Sequence, residues 1–293
     1  MTRITSQMLT TAAQRNLATS QAALARLQEQ GSSGTRLAKP SDDPAATAAA
    51  LRVRTAQRAT EIHQRNADDA LGWLGTVDTA LGTSTDLLRR ARDLTVQGAN
   101  DGAMSAESRE AIAVELESLR DALLQQANTR YLGRSAFAGN SLAGHAFAAD
   151  YSHSGVVGTS LERRIGPDTS VTIDGDGVAA FGTGAGSVFA LLDDVAADLR
   201  AGIPVSGRLD GIDQHLSAIT TQRSIAGSRY AQVERGKELL IMSSNELEAR
   251  RSGLEDADLG KIIIDLKMQE VAYQAALSVT ARAIPPTLLE FLA

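Results

Sequence analysis

Four histidines are the side chains best suited to bind a metal or move a proton, and they lie far apart in the chain. They are His63, His145, His153 and His215, and none has a second ligand at the spacing that zinc sites use. An ordinary surface or loop role is the better interpretation of each. The sequence therefore predicts no metal site and no catalytic histidine.

Two glycine-containing motifs look superficially like parts of ligand sites. Asp174-Gly-Asp-Gly177 begins like a calcium loop, but the later oxygen ligands and the closing glutamate are missing, so a hairpin turn is expected. Gly182-Thr-Gly-Ala-Gly186 has the spacing G-x-G-x-G rather than G-x-G-x-x-G, and no βαβ pattern surrounds it. A P-loop lysine and a G-x-S-x-G motif are also missing. We predict no enzyme activity and no cofactor.

Charged clusters have two possible roles. The acidic segment Glu255-Asp256-Ala-Asp258 precedes an apolar helical pattern, where helix N-terminal electrostatics explain it. A basic group follows Pro44, and it either forms a solvated face or pairs with acids of a neighbouring subunit. Its members are Arg52, Arg54, Arg58 and Arg65.

Composition favours long helices over a compact aromatic core. The 293 residues are 43% apolar but only 3% aromatic, with no cysteine and a net charge of −6. These values exclude disulfides and thiolate metal sites and argue against a nucleic-acid-binding surface. No apolar run is long enough to span a membrane, and the first residues lack the apolar region of a secretory signal.

Apolar residues recur every three or four positions over most of the chain, which predicts helices. One pattern covers Ile4 to Gln30, and another starts at Pro44. A third is capped by Ser105, and a fourth, capped by Ser187, follows the glycine-rich region. The most regular pattern runs from about residue 209 to 251, a helix of roughly 65 Å. We therefore expect a mainly α fold, an elongated helical bundle or coiled coil built from the N- and C-terminal segments.

Glycine becomes frequent between Gly139 and Gly186, and "SVTIDGDGVAAFG" alternates as a hairpin would. This predicts a small β-rich inserted domain, residues 140–186. The helical parts divide into a terminal coiled-coil domain, 1–40 with 253–293, and a long-helix bundle domain, 41–139 with 187–252.

The segment "KPSDDP" predicts a hinge between two helices. Proline disfavours helix at the residue before it and is tolerated in the first turn of a helix. Asp43 should therefore cap a helix that starts at Pro44, with Ser41 and Asp42 supplying further acceptors for its free N–H groups. The hinge residues are Pro40, Ser41, Asp42, Asp43 and Pro44.

Narrow apolar stripes on the two terminal segments predict packing between subunits. Polar residues interrupt both stripes, so burial within one chain would be thin, and isolated helices are marginal in water. Residues 1–40 carry a net charge of +4 and residues 253–293 carry −3, which favours their pairing. We expect the ends to order fully when neighbouring subunits cover them. The predicted packing residues are Leu9, Ala13, Leu17, Leu24, Leu27, Ile263, Leu266, Tyr273, Leu277, Ile284, Leu289 and Phe291.

Both ends of the chain resemble the flagellin family. Within it, Lys39-Pro-Ser-Asp-Asp-Pro44, Tyr273-Gln-Ala-Ala-Leu277 and Leu288-Leu-Glu-Phe-Leu292 are similar to the type 3 hook-associated proteins, and "ANTRYLGRSAFAGN" at Ala127–Asn140 fits the same group. The resemblance covers roughly residues 1–140 and 188–293.

This resemblance implies a secreted structural part of the bacterial flagellum, located at the hook–filament junction and exported by the flagellar type III apparatus. The implied partners are further copies of the chain in a ring, the first hook–filament junction protein (FlgK) and flagellin. A FlgN-type export chaperone would hold the C-terminal helix. The terminal helices would form the inner tube, and the insertion would form the outer surface.

Three alternatives stay open at this stage. The chain could be flagellin itself, although its hinge and closing segments differ from the usual filament protein. A helical signalling module is a second alternative, and it would want a membrane anchor or a partner domain. A nucleotide-binding enzyme would depend on the Gly182–Gly186 loop alone.

Overall fold

The computed structural model describes residues 6–37, 39–99, 104–156 and 159–283. These residues form two compact units, one from residues up to 58 together with those from 244 onward, the other from residues 59–243. Long helices dominate, which confirms the mainly α prediction. The elements are α1 (Ser6–Ser33), α2 (Pro44–Ala99), α3 (Ala106–Ala127), β1 (Arg130–Tyr131), β2 (Arg134–Ser135), β3 (Glu162–Arg164), β4 (Ser170–Thr172), α4 (Gly177–Phe181), α5 (Val188–Ala201), α6 (Leu209–Glu255) and α7 (Leu259–Ala283).

Three helix starts follow the predicted caps. The Asp43 Oδ1 atom accepts a hydrogen bond from the Ala46 amide at 2.9 Å, and α2 begins at the next residue, Pro44. The Ser105 hydroxyl accepts from Ser108 N at the start of α3, and the Ser187 hydroxyl accepts from Ala190 N at the start of α5. Each cap satisfies an amide that has no partner inside its own helix, which is why these residue types begin helices.

In the second unit, α6 presents one apolar residue to the core every seven positions. A repeat of seven keeps one face of a helix against a partner helix, as in a coiled coil. The buried residues are Ile212, Ile219, Ala226, Val233 and Leu240. Buried residues of α2, including Leu74, Val77, Leu81 and Leu88, belong to the same hydrophobic core.

A compact aromatic cluster anchors the region that connects α3 to α5. Phe137, Phe147, Phe181 and Phe189 are fully buried, with neighbouring ring centroids 5.4–5.9 Å apart. These are four of the five phenylalanines in the chain. The phenylalanines among the described residues are therefore concentrated in this one region.

The hairpin of the inserted region lies at a different place from the predicted one. Strand β3 pairs antiparallel with β4, so the connecting turn is residues 165–169 and not an Asp-Gly segment. Asp174 and Asp176 follow the hairpin and bond to backbone amides. The Asp174 carboxylate accepts from Leu161 N at 2.8 Å, and Asp176 caps α4. The prediction of an Asp-Gly turn was wrong because an aspartate before glycine serves equally well as a helix cap.

Candidate functional site: the terminal helix pair

Helices α1 and α7 form an antiparallel pair within the first unit. Gln269 on α7 donates hydrogen bonds from Nε2 to both the carbonyl oxygen and the hydroxyl of Ser20 on α1, at 3.1 and 2.9 Å. Nearer the other end of the pair, Gly31 lies against Ile262. Ile262 and Gln30 are buried, whereas Ser20 and Gln269 are half-buried.

The predicted packing residues divide between this face and solvent. Six of them are half-buried on the shared faces: Ala13, Leu17, Leu24, Leu27, Leu266 and Tyr273. Ile263 and Leu277 point elsewhere, with 60% and 41% of their surface exposed. The side chain of Leu9 and the whole of Ile284, Leu289 and Phe291 lie outside the described residues. The predicted C-terminal stripe therefore combined positions from more than one face of α7.

Helix α7 carries a second apolar face on its opposite side, which sequence reasoning missed. We call it the outer stripe: Ile264, Met268, Val271, Ala275 and Val279. Its four large side chains are 60–66% exposed. The positions recur every three or four residues and so share one face of the helix. The run Ile262-Ile-Ile264 signals it, because three consecutive apolar residues cannot all face one partner helix.

The segment predicted to be a hinge forms a tight turn closed by its own polar groups. Asp42 N donates to the Lys39 carbonyl, and Lys39 N donates to Asp42 Oδ2, both at 3.0 Å. Asp42 therefore closes the turn and does not cap α2, which corrects the role predicted for it. The Asp43 cap and the helix start at Pro44 are as predicted. Pro40, Ser41, Asp43 and Pro44 are exposed.

Beside the hinge, the connection after α1 is bonded to the connection before α7. Thr35 and Asp256 form an isolated antiparallel bridge. Arg36 N donates to the Glu255 carbonyl at 2.7 Å, and Ala257 N donates to the Gly34 carbonyl at 2.9 Å. These backbone bonds fix where each terminal helix leaves the rest of its unit.

Glu255 holds this junction through two arginines. Its carboxylate is 9% exposed, lies 2.8 Å from Arg54 Nε and 3.2 Å from Arg251 Nη1, and so bridges α2 and α6. The Arg54 hydrogen bond, partly opposed by burial, lowers the pKa of Glu255. Arg54 thus has an acid partner within its own chain. Asp258 accepts from Lys261 N at the start of α7, as expected of a helix N-terminus.

Two of the four candidate histidines lie within hydrogen-bond distance of a backbone carbonyl oxygen. His153 Nε2 lies 2.9 Å from the Phe137 carbonyl oxygen, and His63 Nδ1 lies 3.4 Å from that of Arg164. Burial lowers the pKa of His215. Among the described residues there is no group of three side chains placed to hold a metal ion. The helices of the described ranges include none with the length and apolarity needed to cross a membrane.

Family models match both helical regions of the chain. The bacterial flagellin N-terminal helical region matches residues 4–141, and the flagellin C-terminal helical region matches residues 209–292. The Bacillus subtilis flagellin is 27% identical over 91% of each chain. The Escherichia coli flagellar hook-associated protein 3 is 26% identical over 94% of each chain.

Solved structures show the same fold. A putative flagellar hook-associated protein from Vibrio parahaemolyticus aligns with a TM-score of 0.68 at 18% identity, covering 73% of this chain and all of that one. The Xanthomonas campestris FlgL structure aligns with a TM-score of 0.62 at 20% identity, covering 68% and 99%. The two family models cover the terminal helix pair and the long helices α2 and α6. The chain therefore belongs to the flagellin family.

Proposed function

We propose that this protein is a structural adaptor of the bacterial flagellum that joins the hook to the flagellin filament. The observation that carries the proposal is the outer stripe of α7. It leaves a helical apolar face uncovered on a terminal helix pair that already uses its other face within the chain. A monomer has little reason to retain four large exposed apolar side chains at helical spacing. A shared tube of terminal helices would cover them.

The choice of adaptor over filament subunit is supported by which relatives align. Flagellins and a hook-associated protein 3 match at similar identity, and the latter match extends over the larger share of both chains. The aligned solved structures above carry hook-associated or FlgL names. The hinge "KPSDDP" and the closing "LLEFL" favour the same branch.

The proposal also includes the binding partners, the export route and the position of each domain in the assembly. The ring of copies would contact the first junction protein FlgK on the hook side and flagellin on the filament side, after type III export aided by a FlgN-type chaperone. Residues 1–40 with 253–293 would form the inner tube, and 41–139 with 187–252 the surrounding layer. Residues 140–186 would form the outer surface. The thin burial between α1 and α7 supports full ordering of the ends only on assembly.

Genetic deletion combined with immunogold microscopy tests the proposal. Cells that lack a junction protein should carry hooks without filaments and release flagellin monomer into the medium. Gold label against this chain should lie only at the base of each filament. Label along the whole filament would instead identify the chain as a filament subunit. A purely cytosolic pool would favour the signalling module.

A further inference from the structure

The middles of α2 and α6 are rich in residues that weaken helices. Glycine, serine and threonine make up eight of the fourteen residues 72–85 and six of the twelve residues 217–228. The equally long stretches 58–71 of α2 and 229–240 of α6 contain one such residue each, and 86–99 of α2 contains two. All three residue types form helices less readily than alanine, and glycine is the poorest of them. We call residues 72–85 and 217–228 the weak segments.

Ion pairs show that the two weak segments lie beside each other. Asp78 of α2 pairs with Arg223 of α6 at 2.9 Å, and Asp68 pairs with Lys237 at 2.7 Å, so the helices are antiparallel. A Cβ on Gly82 would lie 3.4 Å from the guanidinium carbon of Arg223. The weak segments therefore occupy the same level of the helix pair.

Gly75 and Gly227 are the glycines of this level that packing does not require. A Cβ on either would meet no atom of the described residues within 4 Å, and neither has a positive φ. Gly72 differs, because a Cβ there would lie 2.3 Å from the Tyr131 hydroxyl. Gly75 and Gly227 both lie within about 6 Å, along the helix axis, of the first ion pair above, and on the same side of it. What they contribute is backbone freedom, in both helices at one level.

Hydroxyl groups in both weak segments bond to the backbone of their own helix. Thr79 Oγ1 donates to the Gly75 carbonyl at 2.8 Å, and Ser224 Oγ donates to the Thr220 carbonyl at 3.0 Å. Such bonds to the residue four positions earlier slightly destabilise helices and often bend them. Five further hydroxyls of the weak segments make the same bond: Thr76, Ser84, Thr85, Thr220 and Thr221.

The packing of α6 is thinnest at the same level. Ala226 stands in the buried row of α6, where the positions seven residues before and after it are Ile219 and Val233. Less apolar surface is therefore buried by α6 at Ala226 than one repeat away on either side. Weak helix propensity and thin packing coincide in this part of the pair.

We propose that the weak segments form a bending point, at which the α2–α6 pair flexes while the helical parts on either side stay straight. Bending lengthens the backbone hydrogen bonds on the outer side of a helix, and this costs least where propensity and packing are weakest. A pair can bend as one body only if both helices yield at one level, which the matched positions of Gly75 and Gly227 provide. The inference goes beyond the proposed function, because it concerns the single chain and applies equally to a filament subunit.

Hydrogen exchange of the full-length chain, followed by mass spectrometry, tests the bending point. Protection factors of amides in 217–228 should be about tenfold lower than in 229–240 of the same helix. Gly75→Ala with Gly227→Ala should raise protection in both weak segments about fivefold, because alanine favours the helix and finds open space at both positions. Equal protection along α6 in the unchanged chain would overturn the proposal.

Two single variants test whether the helices yield together. Gly75→Ala lies in α2 but should also raise the protection of 217–228, by about twofold, because the pair bends as one body. Gly253→Ala is the matched control, since a Cβ there also meets no atom of the described residues within 4 Å, but the position lies near the end of α6. It should leave the protection of 217–228 unchanged. A Gly75→Ala variant that changes only α2 would refute the joint bending point.

Discussion

Leu132 has a backbone conformation that leucine rarely adopts. It lies in the turn between β1 and β2 with a φ of 46°, followed by Gly133 at 82°, and its side chain is 80% exposed. Tyr151 also has a left-handed backbone conformation, with a φ of 64°. Its side chain, unlike that of Leu132, makes a specific contact, because its hydroxyl donates a 2.6 Å hydrogen bond to Asp193. The exposed Leu132 side chain buries little apolar surface, so its burial does not offset the free-energy cost of the left-handed backbone.

We expect Leu132→Asn to raise the free energy of unfolding by about 1 kcal/mol, since asparagine tolerates the left-handed region and suits this turn. Denaturant unfolding followed by the fluorescence of Trp73, which lies beside Tyr131 of this hairpin, would measure it. Gly133→Ala is the matched control. A Cβ there meets nothing within 4 Å, so its expected loss of stability would come from the backbone alone. An unchanged stability in Leu132→Asn would contradict the account.

Glu255 is the buried acid at the junction of the terminal helices. Glu255→Gln removes the charge that Arg54 and Arg251 contact. We expect the local opening free energy to fall by about 1.4 kcal/mol, which corresponds to tenfold faster hydrogen exchange at the Arg36 and Ala257 amides. The exposed pair Glu246–Arg250 provides the control, because Glu246→Gln should leave those amides unchanged.

The effect of Glu255 should depend on pH in one direction. Its pKa is lower in the folded protein than in the unfolded chain, where glutamate titrates near 4.3. The stabilisation is therefore complete above that value and is lost as pH falls through the lower, folded-state pKa. Wild type and Glu255→Gln should exchange at increasingly similar rates as the medium is acidified below about pH 4. A difference that grows on acidification would be inconsistent with this assignment.

At the scale of elements, three ion pairs set the register of α2 against α6. Asp68–Lys237 and Asp78–Arg223 place the acid on α2, whereas Arg92–Asp213 places it on α6. A shift of either helix by one turn would break all three bonds. Each exposed pair alone contributes only about 0.2–1 kcal/mol to the free energy of unfolding. Together the three pairs therefore serve mainly to specify how the two helices align.

A double-mutant cycle would measure one of these pairs. Asp78→Arg places two cations together and should destabilise the protein by about 1 kcal/mol, as should Arg223→Asp, which pairs two acids. The double variant Asp78→Arg with Arg223→Asp should recover most of the loss in chemical denaturation. If the two losses simply added, the pair would have no role in alignment.

At the scale of the whole molecule, the outer stripe of α7 should be needed for assembly and not for folding. Met268→Asp and Val271→Asp place charges on a face that is solvated in the single chain, so the helical content should be retained. In a shared tube the same charges would be buried without partners, at a cost of several kcal/mol. Incorporation into flagella should therefore fail.

Leu142→Asp is the matched control for this prediction. Leu142 is 93% exposed and lies in a loop, so a charge there should leave both folding and incorporation intact. Quantitative immunoblotting of sheared flagella, with circular dichroism of each purified variant, would measure both properties. Normal incorporation of Met268→Asp would exclude the outer stripe as an assembly surface.

Local signals in the sequence determined the helices and their starts. A cap such as Asp43 or Ser187 acts on an amide three residues away, and the stripe of α6 repeats every seven residues, so both are readable along the chain. The low aromatic content likewise favoured long helices, and the absence of cysteine excluded disulfides, before any contact was known. The segments that resemble the flagellin family are continuous in sequence, so they too can be recognised without the structure.

Only the tertiary structure decided which apolar face meets which partner. Periodicity locates apolar positions on a helix, but it does not say that Leu266 faces α1 while Ile264 faces outward. Periodicity also could not predict that Arg54 contacts Glu255, which lies 201 positions away. Nor could it predict that the hairpin turn precedes Asp174. These contacts join residues distant in sequence, and their energies depend on distances that exist only once the chain has folded.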